Sequence, residues 1–109
     1  MITDIVESKT VSERLTIRAD FQARLDVGEF IVTFSSSITV SSGEDSSPSD
    51  MIPDSPTLSG TVVKQIVEGG LPGVIYNLFL AARTNRNNVL VNIAKVSVLT
   101  DSAITPEDL

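Results

Sequence analysis

The chain has no cysteine, no histidine and no tryptophan, and a single tyrosine among its 109 residues. Without cysteine, neither a disulfide nor a thiolate metal site can form, and the missing disulfide leans toward folding in a reducing compartment. Without histidine, the commonest general base and the commonest metal ligand are both gone. With four Phe and no Trp, the core has to be built from Val, Ile and Leu, and that β-branched excess favours strands. No apolar run approaches the roughly 20 residues that cross a bilayer. The opening Met1-Ile2-Thr3-Asp4-Ile5 lacks the basic start and long apolar stretch of a secretion signal, and Met1 fits a whole reading frame. Positive charge is also scarce: 8 Lys and Arg against 14 Asp and Glu leave a net charge of −6. Nucleic acid and anionic membranes are therefore poor partners, and the acidity reads first as solubility.

What is present is strand-forming sequence. At 41% hydrophobic residues the chain supports one packed core, and its length suits one domain. Leu15, Ile17, Ala19 and Phe21 alternate with Arg14, Thr16, Arg18 and Asp20, a half-buried strand. A second strand runs near Phe30 to Val40, apolar on its even positions except Ser36, where a bend or a crossing between layers is expected. Its other face is lined by Ser and Thr. A third strand near Leu58 to Val67 has an ambiguous facing, because Lys64 and Gln65 interrupt both parities, and a bulge would reconcile its halves. The last strand, Val89 to Leu99, slips phase at Ile93-Ala94 and invites a second bulge. Thr84-Asn85-Arg86-Asn87-Asn88 reads as a hairpin loop whose residues tolerate positive φ.

The most telling stretch is Gly69 to Arg83. A Gly/Pro turn feeds a strict alternation that places Val74, Tyr76, Leu78, Leu80 and Ala82 on one face. Leu71, Gly73 and Tyr76 match the tyrosine corner of immunoglobulin-type sandwiches, in which the hydroxyl bonds back to the upstream backbone. No helix-period segment of useful length occurs. The expected fold is therefore all-β: a single Ig-like or fibronectin-like β-sandwich of about seven antiparallel strands. The expected organisation is an N-terminal arm at 1–11, the sandwich at 12–100 with a long Pro/Ser/acidic loop at 42–57, and a polar tail at 101–109.

The census of chemical groups is mostly negative. A serine nucleophile has no histidine base, and Lys9, Lys64 and Lys95 lie in no recognisable motif. Paired carboxylates have little room for a substrate cleft in so small a sandwich. Glu44, Asp45, Asp50 and Asp54 do not follow an EF-hand spacing. No catalytic, cofactor-binding or metal-binding residue is therefore expected, and the protein reads as a non-enzyme. Candidate interface positions are Ile2, Ile5 and Val6 in the arm, which either pair along a sheet edge or bind a neighbouring subunit, Met51 and Ile52 in the long loop, which alternatively tack it onto the body, and Arg83 and Arg86 beside the Asn-rich hairpin. The arm is expected to add a strand to a neighbour, so that deleting residues 1–11 leaves a folded monomer that assembles poorly. The long loop is expected to order on docking.

One resemblance goes further. Ser59-Gly60-Thr61-Val62-Val63, Gly69-Gly70-Leu71-Pro72-Gly73-Val74-Ile75-Tyr76-Asn77-Leu78, Ala82-Arg83-Thr84 and the final Val-rich strand resemble small tailed-bacteriophage virion proteins, called structural or fibre-like. Glu13 to Phe21 is similar to that family's opening strand. The resemblance implies an Ig-like or fibronectin-like sandwich with no catalytic residues. It also implies a virion component, assembled in the bacterial host cytoplasm in multiple copies, with a homo-oligomer open. Its partners would be capsid or head–tail (neck or collar) proteins, bound as a decoration, cement or connector module. The alternative is a carbohydrate- or receptor-binding adhesion module, supported by the Ser/Thr face and the loop tips.

Overall fold

A computed structural model describes residues 4–99, with side chains from Val6 onward, and contains seven strands. The strands are β1 (Asp4–Thr10), β2 (Arg14–Asp20), β3 (Ile31–Ser42), β4 (Thr57–Ser59), β5 (Val62–Glu68), β6 (Ile75–Thr84) and β7 (Val89–Leu99). They form two sheets, one in the order β1-β7-β6-β3 and the other β2-β5-β4. The protein is a β-sandwich. Its second to seventh strands pair in the order that B to G take in immunoglobulin-type sandwiches. Pairing is antiparallel except between β1 and β7, which run parallel from Asp4↔Ile93 to Thr10↔Leu99. The segment read as an arm thus contributes, over residues 4–10, an edge strand of the larger sheet. Ile2 and the tail at 101–109 lie outside the described residues.

Between the sheets, Ile17, Ala19 and Phe21 meet Val63 and Val67 from one side and Tyr76, Leu78, Leu80, Ala94, Val96 and Val98 from the other. The five alternating residues Val74 to Ala82 are all buried. Two expected bulges are absent. The β2–β5 register is unbroken from Arg14↔Glu68 to Asp20↔Val62, and the β6–β7 register from Ile75↔Ser97 to Arg83↔Val89. Both phase ambiguities come from amides that face inward and find partners. Gln65 accepts from Ser36 Oγ (2.5 Å) and donates to the carbonyls of Asp54 (2.8 Å) and Ile66 (2.9 Å). Asn92 Oδ1 accepts from Arg24 Nη1 at 3.1 Å. Ser36 therefore marks no change of layer. It is a polar link between the sheets, and a buried amide satisfied in this way carries little net penalty. The irregularities lie instead at the ends of β3, between Ile31 and Thr33 and between Val40 and Ser42.

The expected third strand is two strands. Ser59 pairs with Val62, so Gly60-Thr61 is a two-residue hairpin loop, and Gly60 takes φ +61 as the first position of a II′-type turn requires. The loop from 43 to 56 is held in the free chain rather than waiting for a partner. Met51 ends a 3-10 turn, Pro48–Met51, and is 1% exposed within the core. Gln65 takes the Asp54 carbonyl, and Arg14 reaches Asp54 Oδ2 at 3.3 Å.

Candidate protein-binding surface

Two loops at the Thr84 end of β6 are joined into one platform. Thr84 to Asn88 is a tight hairpin. Asn87 N donates to Thr84 O and Thr84 N to Asn88 O, both at 2.9 Å, and Asn87 takes φ +62, which Asn tolerates well. The facing loop, Asp26 to Phe30, is pinned to this hairpin by Glu29. Its carboxylate accepts from Thr84 Oγ1 (2.6 Å), Asn88 Nδ2 (2.8 Å) and Asp26 N (3.1 Å). Asn85 adds three bonds: its N–H donates to Phe30 O (3.0 Å), its Oδ1 accepts from Phe30 N (2.9 Å), and its Nδ2 donates to Gly28 O (3.2 Å). Arg86 Nη2 donates to Val27 O at 2.7 Å.

These bonds leave apolar side chains facing water. Val27 is 97% exposed, Phe30 59%, Val89 54% and Val32 53%. Beside them the outer face of the four-stranded sheet holds a hollow of about 310 Å³ lined by Thr33, Ser35, Ala81, Arg83 and Val89. Arg83 and Arg86, chosen from the sequence, are both exposed at this end. The arrangement resembles a docking surface more than a reaction site: apolar anchors and arginines on pre-organised loops, which lose little entropy on binding. Sequence reasoning missed Glu29, which it passed over as part of a plain connection. Its partners lie 55 and 59 residues away.

The Thr84 hydroxyl, then the Asp26 N–H and the Asn88 amide, lower the Glu29 pKa from 4.5 to about 2. Asp20 is lowered in the same direction by the Gln22 N–H and the Thr61 hydroxyl. A carboxylate whose folded pKa is depressed stabilises the fold above its unfolded pKa, and that stability fades as pH falls through the folded value. The platform is therefore expected to loosen between pH 4.5 and about 2. In acid titrations followed by thermal melts, Glu29→Gln should flatten the decline in that window; an unchanged slope would remove Glu29 from this role.

The remaining sequence-selected residues lie elsewhere. Val6 is exposed on β1, at the far edge of the larger sheet. Ile5 sits in β1, opposite Ala94. Met51 is corrected as an interface residue: buried in the core, it offers no surface to a partner, and Ile52 beside it is half-buried. Leu71, Gly73 and Tyr76 lie at the opposite end of β6. The Tyr76 hydroxyl accepts from Leu71 N (2.9 Å) and donates to Asp45 Oδ2 (2.7 Å), while the Leu71 side chain is exposed. Gly73, at φ +82, donates its N–H to Val98 O at 2.9 Å. Burial, followed by the Asp45 carboxylate, raises the Tyr76 pKa. Tyr76→Phe leaves both polar partners without the hydroxyl and is expected to cost about 1–2 kcal/mol in urea denaturation. A neutral result would mean that the two bonds add nothing.

Among the described residues no cluster of three or more acidic side chains could hold a metal ion, and no helix is long and apolar enough to cross a membrane. Asp45 and Asp54 of the acidic loop are engaged by Tyr76 and Arg14. The fold is a two-layer β-sandwich whose loops at one end are tied together by hydrogen bonds and carry two exposed arginines. Residues 9–97 match the family described as Podophage GP4 fiber-tail adaptor protein gp77, and the chain belongs to that family. It is a structural component of a tailed-phage virion. No individual curated protein matches the chain.

Proposed function

We propose that the protein is a non-enzymatic connector of a podophage tail, holding a fibre component to the tail body. The match over residues 9–97 to a family described as a fibre-tail adaptor carries this reading. It favours the tail–fibre junction over the capsid surface or the neck. The platform at Asp26–Phe30 and Thr84–Asn88 is the contact surface. Val27 and Phe30 supply the apolar anchors, and Arg83 and Arg86 the polar rim. Repetition of such contacts by particle symmetry gives avidity without any single contact being strong.

Deletion of the gene tests the reading. Particles should keep filled heads and tails and lose their fibres, and purified wild-type particles should contain the protein in fixed proportion to fibre subunits. Normal fibre content without the gene would overturn it. Within intact particles, a Val27→Asp/Phe30→Asp variant should reduce fibre occupancy while the free protein melts as before. Undiminished occupancy would move the contact away from this platform.

A further inference from the structure

β3 is an edge strand of the larger sheet: it pairs with β6 on one flank and with no strand on the other among the described residues, the 3-10 turn Pro48–Met51 packing against it without strand pairing. An unpaired strand edge recruits other strands unless charge, proline or bulges blunt it. Ile31–Ser42 contains no charged residue and no proline. Its bulges lie at Ile31/Thr33 and Val40/Ser42, so the stretch between them is regular. That stretch reads nearly the same in both directions about Ser36. Ser35 mirrors Ser37, Phe34 mirrors Ile38, Thr33 mirrors Thr39 and Val32 mirrors Val40.

We propose that β3 is a self-association edge, where two copies of this chain pair antiparallel about a two-fold axis at Ser36 and merge their sheets into one. On the solvent face Thr33 then lies opposite Thr39 and Ser35 opposite Ser37. On the core face Phe34 lies opposite Ile38. Hydroxyl pairs and aromatic–β-branched pairs are stabilising cross-strand combinations. A slip of one residue would join the core face of one copy to the solvent face of the other, so the register is specified. Charge complements the pairing. Each chain carries −6, but β3 is neutral. A two-fold contact of this kind is closed and uses the same patch on both copies. The proposal does not depend on where in the particle the protein sits.

Sedimentation of the purified full-length chain tests it. The mass should rise with concentration from 11.6 kDa toward twice that value. The native sequence has no cysteine, so Ser36→Cys introduces a single thiol beside its own counterpart, within the roughly 4.4–6.8 Å Cα separation that a disulfide spans. Mild oxidation should link it into a covalent dimer. Thr39→Cys is the control, because its two copies would lie about 20 Å apart along the paired strands. The Ser35→Lys/Ser37→Lys variant, altered only on the exposed face, should keep its circular dichroism spectrum and sediment as a monomer. A native chain that stays monomeric at its solubility limit, equal cross-linking of the two thiol variants, or a dimer that survives the lysines would each overturn the proposal.

Discussion

Lys9→Met should lower the unfolding free energy by about 2–4 kcal/mol, because it removes a buried donor while keeping the side chain's length. Lys9 is 1% exposed, and its ammonium donates to Thr10 O (2.5 Å), Gly69 O (2.6 Å) and Val11 O (3.3 Å). These carbonyls belong to the end of β1, the turn after it, and the Gly69-Gly70 turn that leaves the other sheet. The side chain therefore fastens the first strand of one sheet to the last residues of the other. Methionine fills similar space but leaves the oxygens without their donor, and unsatisfied buried groups are the costly case. Urea denaturation of the purified chain measures the loss. A change within about 0.5 kcal/mol, the scatter of ordinary surface substitutions, would deny Lys9 this role. By the same logic, removing residues 1–11 strips β1 and its lysine together. The truncation should lose more stability than Lys9→Met, where the sequence alone led to the expectation of an intact monomer.

Gly70→Ala should be comparably damaging, by about 2–4 kcal/mol, from backbone strain added to overpacking. Gly70 takes φ +92, where an L side chain is strained whatever the space. An added Cβ would also lie 2.8 Å from Val98 Cγ2 and 3.0 Å from Met51 Sδ. Both neighbours are buried, so neither can swing into solvent. Gly60→Ala is the internal comparison: its φ of +61 is also positive, but no atom lies within 4 Å of the added carbon. The difference between the two variants in a thermal melt isolates the steric part. Equal losses would mean that Met51 and Val98 repack freely and that the core at the Gly69-Gly70 turn is soft.

The two lysine and glycine contacts meet at one place. Gly70 packs on Met51, which anchors the long loop, and Gly69 gives its carbonyl to Lys9. The turn that the sequence marks with two glycines thus joins β1, the 43–56 loop and the β5–β6 connection. Tyr76 and Asp45 bond to each other at this end of the sandwich, and β6 runs from there to the platform at the other end.

The strands were legible wherever alternation was clean. Arg14 to Phe21 and Gly73 to Arg83 alternate because one face must meet an aliphatic core and the other water, and that pattern is local. It misled where an inward position holds an amide. Gln65 and Asn92 look like phase breaks until Ser36 and Arg24 are brought to them from 29 and 68 residues away. Met51 could be read from its loop either as a partner contact or as an anchor onto the body, and packing decides for the anchor. Arg83 and Arg86 were visible as a pair by the hairpin. Val27, Phe30 and Glu29 were not, because nothing local ties residues 26–30 to residues 84–88.

The residue inventory alone therefore decided that this chain is built of aliphatic strands and carries no histidine or thiol chemistry, since composition and two-residue periodicity need no partner to be read. Tertiary structure decided which polar groups enter the core, that the first strand runs parallel to the last, and which distant loops share a surface. Those outcomes depend on hydrogen bonds between residues far apart in sequence, and such bonds exist only once the two sheets have closed on each other.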